Sequence, residues 1–153
     1  MSYVALATVT LGSAASSVTF SSIPATYKDL IVVADFTGSG NALVNVNFNG
    51  DTSNRTRVGM FGDSSSAGSF TASNIVLGAA LSTTRTASVL QIMDYSATDK
   101  HKTVLLRANN AGISDVSAQA GRWASTNAIN TIALVPASGN LNSGSTFSLY
   151  GVA

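Results

Sequence analysis

Cysteine is absent from this chain of 153 residues, and histidine occurs only once. The absence of cysteine excludes disulfide bonds, thiolate metal sites and a cysteine nucleophile. A single histidine without cysteine also excludes the usual zinc-binding sets. We therefore expect no metal and no cofactor, and a fold that is stabilised by its packed core alone.

Charged residues are also few. Asp, Glu, Lys and Arg make up 10% of the chain, and the formal net charge is +1, whereas about 25% is typical of a globular domain. No strong field is present to attract nucleic acid or an anionic membrane, so neither is expected as a partner. A surface of Ser, Thr, Asn, Gly and Ala favours dense packing against neighbouring subunits, because few ions need to be desolvated. The alternative is a neutral exterior on an extracellular protein or particle.

Long apolar runs are missing as well. The run at residues 30–34 is far shorter than the stretch of about 20 residues that a transmembrane helix needs. No Lys or Arg precedes the mildly apolar residues 4–11, so we do not expect a signal peptide.

Period-two patterns predict β-strands. In residues 43–49, apolar residues alternate with asparagines, as in a strand with one buried face. Asn49-Gly50 follows, and this pair favours a tight turn with positive φ angles. We therefore predict a hairpin in which residues 55–61 form the returning strand. The serine-rich residues 62–73 are predicted to be a loop.

Residues 28–36 show a different pattern, since both faces of the predicted strand are apolar. Ile31 and Val33 lie on one face, and the other face carries Leu30, Val32, Ala34 and Phe36. This pattern predicts a strand that is covered on both sides.

Similar runs recur along the whole chain and predict an all-β fold. Their spacing indicates a jelly-roll-like β-sandwich of roughly 8–10 antiparallel strands. We expect one such domain over residues 1–153. Only three lysines and two prolines are available to protect the edges of the sheets. The hypothesis that follows is that neighbouring subunits cover these edges.

No set of residues predicts catalysis. His101 lies between two lysines, and the chain contains no Gly-x-Ser-x-Gly sequence, whereas Ser-His-Asp chemistry needs a base oriented by a carboxylate. Residues 51–55 resemble the start of a calcium loop but lack its glycine and its closing glutamate. We interpret His101 as an exposed loop residue and residues 51–55 as a polar turn, and we expect no enzymatic activity.

Aromatic and arginine residues are the candidates for an interface. Arg55 and Arg57 share one face of a predicted strand, and Arg122 precedes the only tryptophan, Trp123. Arginine and tryptophan are common anchors of interfaces, although a core tryptophan with a bonded N–H explains Trp123 equally well. The candidate interface residues are Arg55, Arg57, Tyr95, His101, Arg122 and Trp123.

Several short phrases, taken together, resemble a known group of proteins. They are residues 18–24 with 27–28, 48–52, 94–96 with 100–103, 123 with 125–126 and 128–129, and 145–147 with 149–151. In this order they resemble small virion structural proteins of tailed bacteriophages, especially of marine and cyanobacterial phages. The resemblance covers nearly the whole chain and implies a capsid decoration protein or the head of a tail fibre. It implies no catalytic residues.

The resemblance sets the functional expectations. The first is a capsid decoration or cement protein on the exterior of the virion, made in the host cytoplasm. Its partners would be the major capsid protein or another virion protein and further copies of itself, as a trimer. The second is the tip of a tail fibre that binds a glycan of the host surface. A third hypothesis, a hydrolase of host polysaccharide, does not follow from the resemblance and is the least favoured, because no set of residues predicts catalysis.

Overall fold

Twelve β-strands make up the secondary structure of the described residues, which contain no helix. The computed structural model describes residues 2–63, 65–110, 112 and 115–153. The strands are β1 (Tyr3–Thr10), β2 (Val18–Phe20), β3 (Asp29–Phe36), β4 (Ala42–Phe48), β5 (Arg55–Gly62), β6 (Ala67–Ala72), β7 (Val76–Ala80), β8 (Thr86–Met93), β9 (Lys102–Asn110), β10 (Asp115–Trp123), β11 (Ile132–Pro136) and β12 (Thr146–Val152).

The strands form two antiparallel sheets that enclose a common core. The large sheet has eight strands in the order β1-β12-β3-β8-β9-β10-β5-β6, and the small sheet has four in the order β2-β11-β4-β7. Buried apolar side chains of both sheets form one cluster. Within it, the ring centroids of Phe48 in β4 and Trp123 in β10 are 5.6 Å apart. The predicted all-β sandwich is therefore confirmed.

The jelly-roll form of the sandwich stays a prediction. A jelly roll has eight strands in two sheets, whereas twelve strands are divided here into eight and four. The order allows an interpretation as an enlarged jelly roll. In this interpretation β8, β9 and β10 together take the position of one jelly-roll strand, and β1 and β12 are added at one edge. The large sheet then has four positions, as the small sheet does.

The turn predicted after β4 is present, but the predicted hairpin between β4 and β5 is wrong. Asn49 and Gly50 have φ angles of 52° and 77°, and the N–H of Asp51 donates to the carbonyl of Phe48 at 2.9 Å. β5 nevertheless pairs with β10 and β6, whereas β4 pairs with β11 and β7. A turn determines where the chain reverses. The sheet that the next strand joins depends on the strands with which it pairs, and these can lie far away in the sequence.

The loop predicted at residues 62–73 is wrong for residues 67–72, because these six residues form β6. This strand pairs with β5, from Gly62 opposite Ala67 to Arg57 opposite Ala72, and ends the large sheet. Its side chains alternate only between exposed and half-buried. An edge strand that buries so little surface carries no clear apolar period, so the sequence pattern did not reveal it.

β3 is covered on one face rather than on two. Its inward residues Leu30, Val32, Ala34 and Phe36 are at most 3% exposed, whereas Val33 on the other face is 41% exposed. Ile31 on that same face is half-buried. The prediction of two-sided cover is wrong for this chain by itself, because the small sheet packs against only one face of the large sheet.

Candidate protein interaction surface

The side of the large sheet that points away from the small sheet is referred to as the outer face. Residues that pair directly across neighbouring strands point to the same side of a sheet. One such row from β3 to β5 is Ile31, Gln91, Leu105, Ala120 and Val58. The next row is Val33, Val89, Arg107, Ala118 and Met60. All of these residues except Gln91 and Arg107 are apolar.

The apolar side chains of the outer face are in contact with water. Met60 is 66% exposed, Val58 56% and Leu105 46%. Because they occupy adjoining rows, they form one patch rather than scattered single residues. Soluble monomers rarely expose contiguous apolar patches larger than a few hundred Å², and larger ones mark interaction sites.

The outer face is concave. Two cavities of about 1050 and 870 Å³ lie on it, and Met60, Val89 and Arg107 line both of them. Tyr3 of β1 and Thr71 of β6 line the same larger cavity, although these strands are at opposite edges of the sheet. The sheet is therefore curved, and its edges rise on either side of the apolar rows.

The polarity of β5 is inverted relative to an ordinary half-buried strand. Arg55 and Arg57 point inward and are 7% and 8% exposed, while the apolar Val58 and Met60 point outward. Usually the charged residues of such a strand face water and the apolar ones face the core. Here the inward arginines have polar partners, and the apolar side chains are left without cover.

The two inward arginines bind groups within the chain. Arg55 donates to the carbonyls of Val46 at 2.9 Å and Thr52 at 2.5 Å. Burial lowers the pKa of both guanidinium groups. Arg55 thus joins β5 to β4 of the small sheet, and Arg57 joins it to the segment before β7 and to β10, so little of either side chain is left for a partner. The other acceptors are Asn47 for Arg55, and Asn74 at 3.1 Å and Gln119 at 2.6 Å for Arg57.

Trp123 and Tyr95, also interface candidates from the sequence, lie in the core. Trp123 is 2% exposed, and its Nε1–H donates to Asp51 Oδ2 at 2.7 Å. Tyr95 is fully buried, and its hydroxyl donates to the carbonyl of Pro24. For Trp123, the structure therefore shows the alternative of a core tryptophan with a bonded N–H.

The remaining two candidates, His101 and Arg122, are exposed. His101 lies in the turn between β8 and β9, away from the rows described above. Arg122 pairs with Thr103 and Thr56 and so lies on the outer face, at one end of the sheet. The structure thus does not bring the six candidates together into one site.

The residues that sequence reasoning missed are apolar. Val58, Met60 and Leu105 were not among the candidates, since an apolar residue in a strand is normally assigned to the core. Two signals were available. One is the apolar character of both faces of residues 28–36. The other is the alternation in β5, which places Arg55 and Arg57 on one face of the strand and Val58 and Met60 on the other.

Lys102 is the one lysine with a fully buried side chain among the described residues. Its Nζ donates to the carbonyls of Lys100 at 3.0 Å and Thr126 at 3.4 Å. Burial lowers the pKa of this amine, and the nearby Asp99 acts in the opposite direction. These contacts hold the turn before β9 against the segment after β10, which is a structural role.

Within the described ranges, no group of three or more His, Asp or Glu residues is placed to hold a metal ion. The same part of the chain contains no helix long and apolar enough to cross a membrane.

No family model, no curated protein and no solved structure matches the chain. The outer face is therefore the structural feature that indicates a function.

Proposed function

We propose that this protein is a structural subunit of a larger assembly, and that it buries its outer face against another protein there. The observation that carries the proposal is the exposed, contiguous apolar face of the large sheet. A strand such as β3, apolar on both faces, is typical of a sheet with cover on both sides. In the assembly, a partner would supply the second cover.

The size of the outer face supports this proposal. Seven spacings of about 4.8 Å between strands, and strands of about seven residues at about 3.4 Å each, give an area of roughly 800 Å². Each side of a standard protein interface buries about the same area. The outer face is therefore large enough for a stable interface without any help from the rest of the surface.

The virion is the assembly that we propose. Support comes from the resemblance of the sequence to small virion proteins of tailed phages, and from the use of double-sheet β folds in capsid and lectin domains. Within the virion we favour a decoration protein on the capsid exterior that bridges copies of the major capsid protein. The few charged residues suit this role, because apolar and hydrogen-bonded contacts need little desolvation of ions.

The proposal predicts a high copy number in particles and a strict need for the outer face. Quantitative mass spectrometry should give a simple ratio to the major capsid protein, and Met60→Asp should remove the protein from particles. Leu43→Asp is the matched control, because Leu43 is 39% exposed on the opposite side of the molecule, on β4. It should leave incorporation unchanged.

A copy number of a few per cent of the major capsid protein would place the protein on the tail, and the tail-fibre function would replace decoration. Equal incorporation of the Met60→Asp variant and the wild type would contradict a role of the outer face in either position. Complete absence from particles would contradict the virion proposal as a whole.

A further inference from the structure

Arg107 is the charged residue at the centre of the outer face. It lies between Val89 and Ala118 in its row and lines both cavities. Its side chain is exposed, and none of the described carboxylates forms a salt bridge with it. A single cation thus stands in the middle of an apolar surface.

The other charged groups of this face are engaged or lie at its margins. The carboxylate of Asp35 pairs with Arg85 Nε at 2.6 Å. Asp29 accepts hydrogen bonds from the N–H of Asp94 at 2.9 Å and from Gln91 Nε2 at 3.1 Å. Neither acid is available to Arg107, so its charge must be balanced by the partner when the face is covered.

A small molecule does not fit this surface. The cavities are lined by the strands of one sheet and are open on the opposite side. A ligand lying on them would remain in contact with water over much of its surface, whereas binding pockets enclose about 70–90% of a ligand. The occupant must be large enough to shield both the apolar rows and its own contacting surface from water, and this indicates a polypeptide.

A second copy in face-to-face contact does not fit either. Two concave faces meet at their rims and leave the centre empty, which forfeits the packing that stabilises an interface. If the two faces instead closed on each other, a two-fold axis through the centre would bring one Arg107 close to the other, and such like-charge contacts cost several kcal/mol. The partner face must be convex and must not be positive at its centre.

We propose that the outer face binds a convex, apolar segment of a different protein, and that this segment carries an Asp or Glu that pairs with Arg107. The inference rests on the proposed function and adds the chemistry of the partner to it. Apolar contacts along the rows provide most of the buried surface. The carboxylate selects the partner and sets its register, because a buried Arg107 without a counter-ion would be strongly unfavourable.

A random peptide library displayed on yeast tests the proposal with isolated, full-length protein. Clones that bind the wild type but not the Met60→Asp variant report binding at the outer face. Among them we expect an acidic residue flanked by apolar ones. The Arg107→Glu variant should bind these clones at least about tenfold more weakly, as for other close charge pairs, and should itself select Lys or Arg at the same position.

Arg122→Glu is the matched control. Arg122 carries the same charge on the same face, but it lines neither cavity, so its reversal should leave the selected sequences unchanged. Urea unfolding should show that the charge-reversed proteins are folded. If Arg107→Glu does not fold, Arg107→Gln replaces it, and the acidic preference should then disappear without a basic one taking its place.

Three outcomes would overturn the inference. Clones sensitive to Met60→Asp but indifferent to charge would show that Arg107 does not select the partner, and the proposed function would still stand. A complete lack of such clones would show that the face binds no separate segment. A sedimentation experiment in which Met60→Asp splits a wild-type oligomer would show that the occupant is a second copy. The proposed function is judged separately, by incorporation into particles.

Discussion

At the scale of single residues, Asp51 shows how a polar turn is fastened to the core. Its Oδ2 accepts the Nε1–H of Trp123 at 2.7 Å, and its Oδ1 accepts the backbone N–H of Ser53 at 2.8 Å. These bonds hold the pKa of the carboxyl well below its usual range, and the bond from Trp123 has the largest effect. The stretch that superficially resembles a calcium loop thus has its carboxylate committed to the protein itself.

Asp51→Asn should lower stability near neutral pH and reduce its acid sensitivity. The pKa of Asp51 is lower in the folded state than the ordinary value of 3.8. Its contribution is therefore complete above that value and is lost as the pH falls toward the folded-state pKa. Losing a hydrogen bond to a charged group costs about 1.5–3 kcal/mol. Urea unfolding at pH 7 and pH 3 measures both effects.

Asp63→Asn is the control for this prediction. The N–H groups of Ser65 and Ser66 lower the pKa of Asp63 to about 2, but Asp63 has no buried partner comparable to Trp123. Its loss should reduce acid sensitivity and change the stability at pH 7 less than the loss of Asp51 does. Equal effects of the two variants at pH 7 would mean that the bond to Trp123 is unimportant.

At the scale of elements, the Asn49-Gly50 turn does more than reverse the chain after β4. The side chain of Asn49 donates to the carbonyl of Ala128 at 2.8 Å. It also accepts the N–H groups of Asn130 at 3.0 Å and Thr131 at 3.1 Å. These residues precede β11, which pairs with β4. The turn therefore anchors the approach to a neighbouring strand, a contact that local sequence patterns do not predict.

Asn49→Ala should destabilise the fold by about 2–4 kcal/mol. An alanine in the left-handed region costs about 1–2 kcal/mol, and the lost bonds to the segment before β11 add about 1–2 more. Asn54→Ala is the control, because Asn54 has a similar φ of 55° and its side chain bonds only within its own turn. Urea unfolding should show the smaller loss for Asn54→Ala. Similar losses for both would mean that only the backbone angle matters.

At the scale of the whole molecule, the two sheets have different widths. A sheet of four strands covers one face of a sheet of eight, and the other face has no cover within the described chain. Few charges are present to keep such a face soluble, since the net charge is only +1. The isolated protein therefore exposes an apolar surface in its native state.

The folded protein should bind a dye that reports exposed apolar surface, such as anilinonaphthalene sulfonate, without loss of structure. Leu105→Asp on the outer face should reduce the fluorescence by at least about half, because it introduces a charge at the centre of the patch. Leu43→Asp on the small sheet should change it little. Circular dichroism checks that each variant is folded. Equal dye binding by both variants would indicate that the outer face is not the exposed patch.

Local patterns determined the strands, and packing determined their surroundings. The alternation in residues 43–49 and the Asn49-Gly50 pair predicted a strand and a turn, because both depend on neighbours in the sequence. The sequence also indicated an all-β fold of low charge, since composition limits which elements and surfaces can form. β6 was missed because its burial, and hence its pattern, is weak.

Only the tertiary structure decided which faces are covered. An alternating pattern shows which side chains share a face, but not whether another sheet lies on that face. Trp123 and Arg55 were plausible surface residues until β5 and β10 were seen to pack beside the small sheet. Val58 and Met60 were plausible core residues in the same way, because their alternation does not show which face of β5 is covered. Cover depends on the relative widths of the two sheets, which arise from contacts far apart in the sequence.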